Sequence, residues 1–226
     1  MNTSFPDRDI RQRGLVPADK LSRLHLLVIG VGAIGRQVAL QLATLGVQRM
    51  TLVDHDHVAE ENLAVQGYRP DDLGHTKVQA TSTLCLQILP SLQMTMLTER
   101  FRRQPGWSAD SDRIPVIMVC VDSITTRRII WETLKGRFAL LVDGRMQAEV
   151  MRVLAQDERT NPQHYQNSLF SESEAQSGPC TARSTIYTAS IAAGLMIAQL
   201  VRWLRQVPLI PDQTLNLLSG ELIINE

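Results

Sequence analysis

The sequence predicts an α/β fold: a Rossmann-like, mostly parallel sheet flanked by helices, with a crossover loop and a C-terminal helix plus β-hairpin. Short aliphatic runs alternate with segments whose apolar residues recur at helical spacing, the order that builds a parallel sheet with crossover helices. The first run also ends in Gly30-Val31-Gly32-Ala33-Ile34-Gly35, a G-x-G-x-x-G turn between a strand and a helix.

Leu24 to Ile29 is the first strand, and Ile34 to Leu45 is a helix stopped by Gly46. Met50 to Val53 follows as a strand, His75 to Leu89 as a helix, and Leu92 to Leu97 and Pro115 to Val121 as the third and fourth strands. Thr125 to Leu134 reads as a helix, then Phe138 to Val142 and Val150 to Ala155 as strands, the second departing from the parallel order. Gln156 to Thr181 is rich in Gln, Asn, Ser, Glu and Pro and reads as a long exposed loop. Ser184 to Gln206 is a helix with small residues at Ala189, Ala192, Ala193 and Gly194. Leu215 to Leu218 and Leu222 to Ile224 form a hairpin closed by a two-residue turn, Ser219-Gly220. No linker divides residues 1–226, which are expected to form one domain with an N-terminal arm (1–24), a crossover loop (156–182) and a terminal hairpin (207–226).

The chain has 226 residues, 44% hydrophobic and 20% charged, enough for a sizeable core. Basic and acidic residues both number 23, so no overall charge calls for nucleic acid or an acidic membrane as partner, and 4% aromatics argue against a base-stacking surface. Ile191 to Val201, interrupted by Gln199, falls short of the roughly 18 residues of a membrane span. Three Cys make neither a disulfide framework nor a four-cysteine zinc site, and the opening residues have no signal-peptide core, so a cytoplasmic protein is expected.

In the glycine loop, Gly30, Gly32 and Gly35 let the backbone turn and approach a phosphate-bearing ligand, whose charge would meet amides at the helix start. Asp54 ends the second strand 24 positions after Gly30, near the offset at which a carboxylate accepts ribose hydroxyls. His55 and His57 alternate with Asp54 and Asp56, but such polar strand ends are more often solvated than metal-binding.

The residues after the second strand narrow the ligand. Asp54-His55-Asp56-His57-Val58 is followed by Asn62-Leu63-Ala64-Val65-Gln66, by Gly74-His75-Thr76-Lys77, and by a strand ending Cys120-Val121-Asp122-Ser123 with Arg127 soon after. These motifs, in this order over nearly the whole chain, resemble the ThiF/MoeB superfamily of adenylyltransferases, which includes the activating enzymes of ubiquitin-like proteins. The resemblance implies one adenylation domain that uses ATP and Mg²⁺ to adenylate the C-terminal glycine of a ubiquitin-like or sulfur-carrier β-grasp protein. A homodimer and a conjugating enzyme as further partner are also implied, with no membrane and no nucleic acid. It places Lys77, Arg127 and Arg11 toward phosphates, Asp122 on Mg²⁺, Asn62 and Gln66 near the polyphosphate and Asp54 on the ribose, with Asp56 among the nucleotide-binding residues.

The family pattern N-L-x-R-Q lacks its Arg here, since Val65 stands in that place, and Arg69 is the nearest cation that could reach the same space. Cys85 and Cys120 fall in apolar elements and read as core. Cys180 follows Gly178-Pro179 at a helix start beside Arg183, an environment that favours thiolate, and several members of the resembled family place in this region a cysteine that takes the acyl group as a thioester or persulfide-linked species. No C-x-x-C pair is present, so no zinc is expected. Arg145 either attracts a carboxylate or pairs with Glu149. The alternatives are an adenylyltransferase of sulfur-carrier or tRNA-modification pathways without a covalent cysteine step, a weakened scaffold that binds without chemistry, and an NAD-dependent oxidoreductase.

Overall fold

The computed structural model describes residues 8–102, 114–170 and 184–225. Its elements run α1 (Ala18–Leu21), β1 (Leu24–Ile29), α2 (Ala33–Leu45), β2 (Arg49–Val53), α3 (Glu60–Gln66), α4 (Lys77–Ile88), β3 (Gln93–Leu97), β4 (Ile114–Val119), α5 (Ile124–Leu134), β5 (Leu140–Gln147), β6 (Val150–Asp157), α6 (Pro162–Asn167), α7 (Ile186–Leu204), β7 (Asp212–Asn216) and β8 (Glu221–Asn225). Eight strands form one sheet in the order β3-β2-β1-β4-β5-β6-β7-β8. The strands from β3 to β5 pair in parallel, and β6, β7 and β8 add on antiparallel.

All six residues of β1 are buried, as expected of a central parallel strand covered on both faces. Alternate side chains of β1 serve opposite layers. Leu24, Leu26 and Val28 pack with α2, α4 and α7, while Leu27 and Ile29 pack with Ile130 and Trp131 of α5 and Tyr165 of α6. Gly46, at φ 98°, caps α2 in the left-handed conformation, and the Val47 amide returns to the Leu42 carbonyl. The N-terminal arm closes the same helix end: Arg8 donates to the carbonyls of Ala43 and Thr44 at 2.8 Å each, placing a cation at the negative pole of α2.

The last helix, α7, is longer than the apolar run within it and has the length and hydropathy of a bilayer span. It lies instead across the sheet, with Ala189, Ala192, Ala193, Met196 and Leu200 fully buried. Gly144 of β5 lets it come close, since a Cβ there would sit 2.4 Å from Met196 Sδ.

Three expectations are corrected and one helix is added. The polar segment after residue 155 is not all loop: β6 continues to Asp157 and α6 follows. Asn161 caps α6 by accepting the Gln163 amide at 3.0 Å, Pro162 starts the helix, and Tyr165, 1% exposed, ties it to the core. The terminal hairpin turns through four residues, Leu217 to Gly220, because Asn216 pairs with Glu221. Residues 60–66 form α3, a seven-residue helix without a buried residue and so without an apolar stripe to read. Arg145 pairs with Asp143 at 2.8 Å rather than with Glu149, whose carboxylate takes the Tyr187 hydroxyl.

Candidate active site at the carboxyl ends of the parallel strands

The strand order reverses direction between β1 and β4, and the crevice outside their carboxyl ends is where open α/β sheets bind ligands. The loop glycines have different tasks there. Gly30, at φ 87°, turns the chain so tightly that a Cβ would lie 2.6 Å from the Cys120 carbonyl oxygen, and a Cβ on Gly35 would lie 1.8 Å from the Gly30 carbonyl oxygen. These two hold β1, β4 and α2 together. Gly32 is open: among the described residues a Cβ there would meet only Gln66 Oε1, at 3.8 Å. As the N-cap of α2 it supplies no side-chain acceptor, so the helix's first turn keeps its outward amides for an anion.

Asp54 stands at the end of β2 beside this turn. Its Oδ2 accepts the Val31 amide at 2.6 Å and its Oδ1 the Asp56 amide at 2.9 Å, leaving lone pairs for hydroxyl donors. The Asp56 carbonyl accepts the amide of Lys77, and Lys77 Nζ returns to Asp56 Oδ2 at 2.9 Å. The start of α4 is thus tied to the end of β2, and the Lys77 ammonium, on a residue 7% exposed, is kept in place. Burial pushes the Asp56 carboxyl up, but the hydrogen bond and charge of Lys77 outweigh it and hold the group below its usual range. His55 approaches Asp56 at 3.2 Å and Asp54 at 4.0 Å. These three could surround a cation, but only in competition with Lys77.

Asn62 caps α3, its Oδ1 accepting the Ala59 amide at 3.0 Å. Gln66 points its amide at Gly32 with Oε1 buried and without a partner among the described residues. Two further residues belong to this shell that the motifs do not single out. Tyr68 donates its hydroxyl to the Val31 carbonyl at 2.7 Å, and burial makes it a weaker acid than an ordinary phenol, raising its pKa. Arg36 stacks on the Tyr68 ring at 4.7 Å. Their only trace in the sequence is adjacency, Arg36 to Gly35 and Tyr68 to Gly67.

Asp122 follows β4 with its carboxylate side exposed, and its carbonyl accepts Arg127 Nη1 at 3.2 Å. Arg127 is the clearest revision of the site. It is 5% exposed, and its guanidinium also donates to Asp143 Oδ1 at 2.9 Å and the Gly144 carbonyl at 3.0 Å. It is committed to protein acceptors and positions the β4–α5 turn rather than facing phosphate. Asp143 is fully buried, held by Arg127, Arg145 and the Tyr165 hydroxyl. Burial works against its charge, but the two guanidiniums keep its carboxyl below the usual range.

Arg11 is not brought to this crevice. Its neighbour Gln12 donates to the Leu45 carbonyl, at the far end of α2 from the glycine loop. A helix of that length separates the two by about 18 Å. Arg69 is paired with Asp72 at 3.2 Å and does not supply the cation missing at Val65. Cys180 lies outside the described residues. Burial pushes the thiol of Cys85 up to about 12 and that of Cys120 higher still, so neither is a ready nucleophile.

Outward amides, a buried ammonium, an unpartnered amide side chain and an exposed carboxylate are the donor set that a nucleoside triphosphate with a divalent cation requires. Escherichia coli sulfur carrier protein ThiS adenylyltransferase is 33% identical over 112 residues, 49% of this chain and 44% of that protein. SUMO-activating enzyme subunit 1 of Rattus norvegicus is 28% identical over 100 residues, 44% of this chain and 29% of that protein. The matched regions thus span less than half the length of these curated relatives. Among solved structures, Escherichia coli MccB with ATP superposes with a TM-score of 0.76 at 16% identity, covering 98% of this chain and 72% of MccB. PaaA gives a TM-score of 0.72 at 19% identity, covering 100% of this chain and 85% of that one. Identities this low establish a shared fold. The ThiF family itself matches residues 7–222, nearly the whole chain, and the protein belongs to that family.

Proposed function

We propose that the protein adenylates the C-terminal glycine carboxylate of a ubiquitin-like or sulfur-carrier β-grasp protein, with ATP as co-substrate. The observation that carries this reading is the convergence at the ends of β1, β2 and β4 of the uncapped first turn of α2, Asp54, the buried Lys77 and the exposed Asp122. Asp54 accepts ribose hydroxyls, and the α2 amides and Lys77 hold phosphate oxygens. Asn62 and Gln66 lie along the polyphosphate, and Asp56 keeps Lys77 aimed. Asp122 would hold Mg²⁺, which neutralises the polyphosphate and lowers repulsion of the incoming carboxylate. A carboxylate oxygen bonds to the α-phosphorus as the bond to pyrophosphate breaks, leaving an acyl adenylate. An NAD-dependent oxidoreductase would share the glycine loop and Asp54 but has no use for Lys77 and Asp122.

In the second step of the proposal, Cys180 attacks the acyl carbon as thiolate, AMP leaves, and the thiol proton passes to solvent. Arg11 lies one helix length away, so a phosphate contact from it requires a second copy of the chain, in keeping with a homodimer. We further place the reaction in the cytoplasm, with neither membrane nor nucleic acid as partner. Between conjugation and sulfur transfer, the lack of C-x-x-C pairs and the cysteine at position 180 favour conjugation. With ATP and a glycine-terminated carrier, a thiol-sensitive adduct should form on the protein. Cys180→Ala should abolish it while the acyl adenylate still accumulates. An adduct that survives the substitution would reassign the nucleophile, and adenylate without any adduct would favour the pathway lacking a cysteine step.

A further inference from the structure

Arg36 is a buried cation with no counter-ion among the described residues. The residue is 3% exposed and its Nε has no acceptor. Asp72, a nearby carboxylate whose field it feels, is already paired with Arg69. The Arg36 side chain stacks on the Tyr68 ring at 4.7 Å. A buried charge left in this state is unfavourable unless an anion completes it.

The surroundings say where that anion would come from. Arg36 and Gly32 stand one turn apart on the same face of α2, the Arg36 amide donating to the Gly32 carbonyl at 3.0 Å. Helical side chains lean toward the N-terminus, so the guanidinium lies over the turn that presents the open amides. A Cβ on Gly67 would come within 3.4 Å of Arg36 Nη1, which puts the guanidinium at the C-terminal end of α3, directly after Gln66. The second unsatisfied buried group of this corner, Gln66 Oε1, faces Gly32. The ring on which Arg36 stacks is fixed to the glycine loop through the Tyr68 hydroxyl. The helix α3 (Glu-Glu-Asn-Leu-Ala-Val-Gln) offers two acids and no cation of its own.

We propose that Arg36, reaching from α2, is the cation of the terminal-phosphate subsite, the role that the family pattern assigns to α3 and that Val65 leaves apolar. Arg36 then contacts substrate oxygens that leave as pyrophosphate, and the buried charge is compensated only when the nucleotide is bound. The inference rests on the ATP reading above.

Calorimetry on the full chain with ATP·Mg²⁺ and with AMP tests it. Arg36→Gln should weaken ATP by about tenfold or more, the worth of one charge-assisted contact, and change AMP affinity by less than about twofold. Adding Val65→Arg to that variant should restore ATP affinity. Val65→Arg in the otherwise unchanged chain provides a test that does not depend on Arg36→Gln folding. If Arg36 already fills the subsite, ATP affinity should change by less than about twofold, whereas a gain of about tenfold would show the subsite lacks a cation. Equal losses of ATP and AMP in Arg36→Gln would make Arg36 a purely structural residue and overturn the proposal. A wild-type chain that binds no ATP would remove the nucleotide reading beneath it, a distinguishable failure.

Discussion

Replacing Asp143 by Asn is expected to cost about 3–5 kcal/mol of folding stability, read as a fall in the free energy of urea-induced unfolding. The substitution keeps the volume but removes the only charge that Arg127 and Arg145 share as a salt-bridge partner among the described residues. Arg127 is 5% exposed and Asp143 fully buried, so water cannot compensate. The same carboxylate makes a pH prediction. Its folded-state pKa lies below the unfolded value of about 3.9, so its contribution is complete above that pH and is lost as pH falls through the lower folded value. The wild-type chain should therefore lose stability on the acid side more steeply than Asp143→Asn. A cost under about 1 kcal/mol with an unchanged acid limb would show that the two guanidiniums have other compensation.

The second large effect is expected at Gly35. An added Cβ would lie 1.8 Å from the Gly30 carbonyl oxygen, 2.9 Å from its carbon and 3.1 Å from Cys120 Cβ, and the first two are backbone atoms of the tight turn. No rotamer change relieves that contact, so α2 must move away from β1 and carry its amides with it. Gly35→Ala should destabilise by about 3 kcal/mol and abolish measurable ATP binding. Gly194→Ala, in α7 with nothing within 4 Å of the new Cβ, serves as the control and should be neutral or stabilising by about 0.5–1 kcal/mol. Intact ATP binding in folded Gly35→Ala would detach the loop from the site.

The sheet was legible because buried parallel strands are short aliphatic runs whose ends are marked by Gly or Asp. The β1 range read from the sequence coincides with the observed Leu24–Ile29. Elements without such a stripe were not legible. The seven residues of α3 bury none of their side chains, and α6 is held by one buried Tyr within a polar stretch. In the site, Gly30, Gly32, Gly35 and Asp54 could be read from linear spacing, because they lie at a strand end or in the turn to a helix, whereas Lys77 and Asp122 were implied by the family resemblance. The pairing of Arg127 with Asp143 was not legible: they are 16 residues apart and meet only once β4 and β5 are adjacent. Arg36 was hidden for the same reason, since nothing in a linear motif tells that α3 and Tyr68 will close over it. Arg11 shows the converse, a residue in the expected motif that the fold holds at the other end of α2.

The central claim is adenylation of a glycine-terminated tail, and ATP–pyrophosphate exchange measures it most directly. Exchange is expected only when a β-grasp carrier with a free C-terminal glycine carboxylate is present. It should persist in Cys180→Ala and fall about 10²–10³-fold in Lys77→Met, which removes the buried ammonium from the phosphate site. Exchange that is absent with every glycine-terminated carrier while ATP still binds, or exchange unaffected by Lys77→Met, would contradict the account.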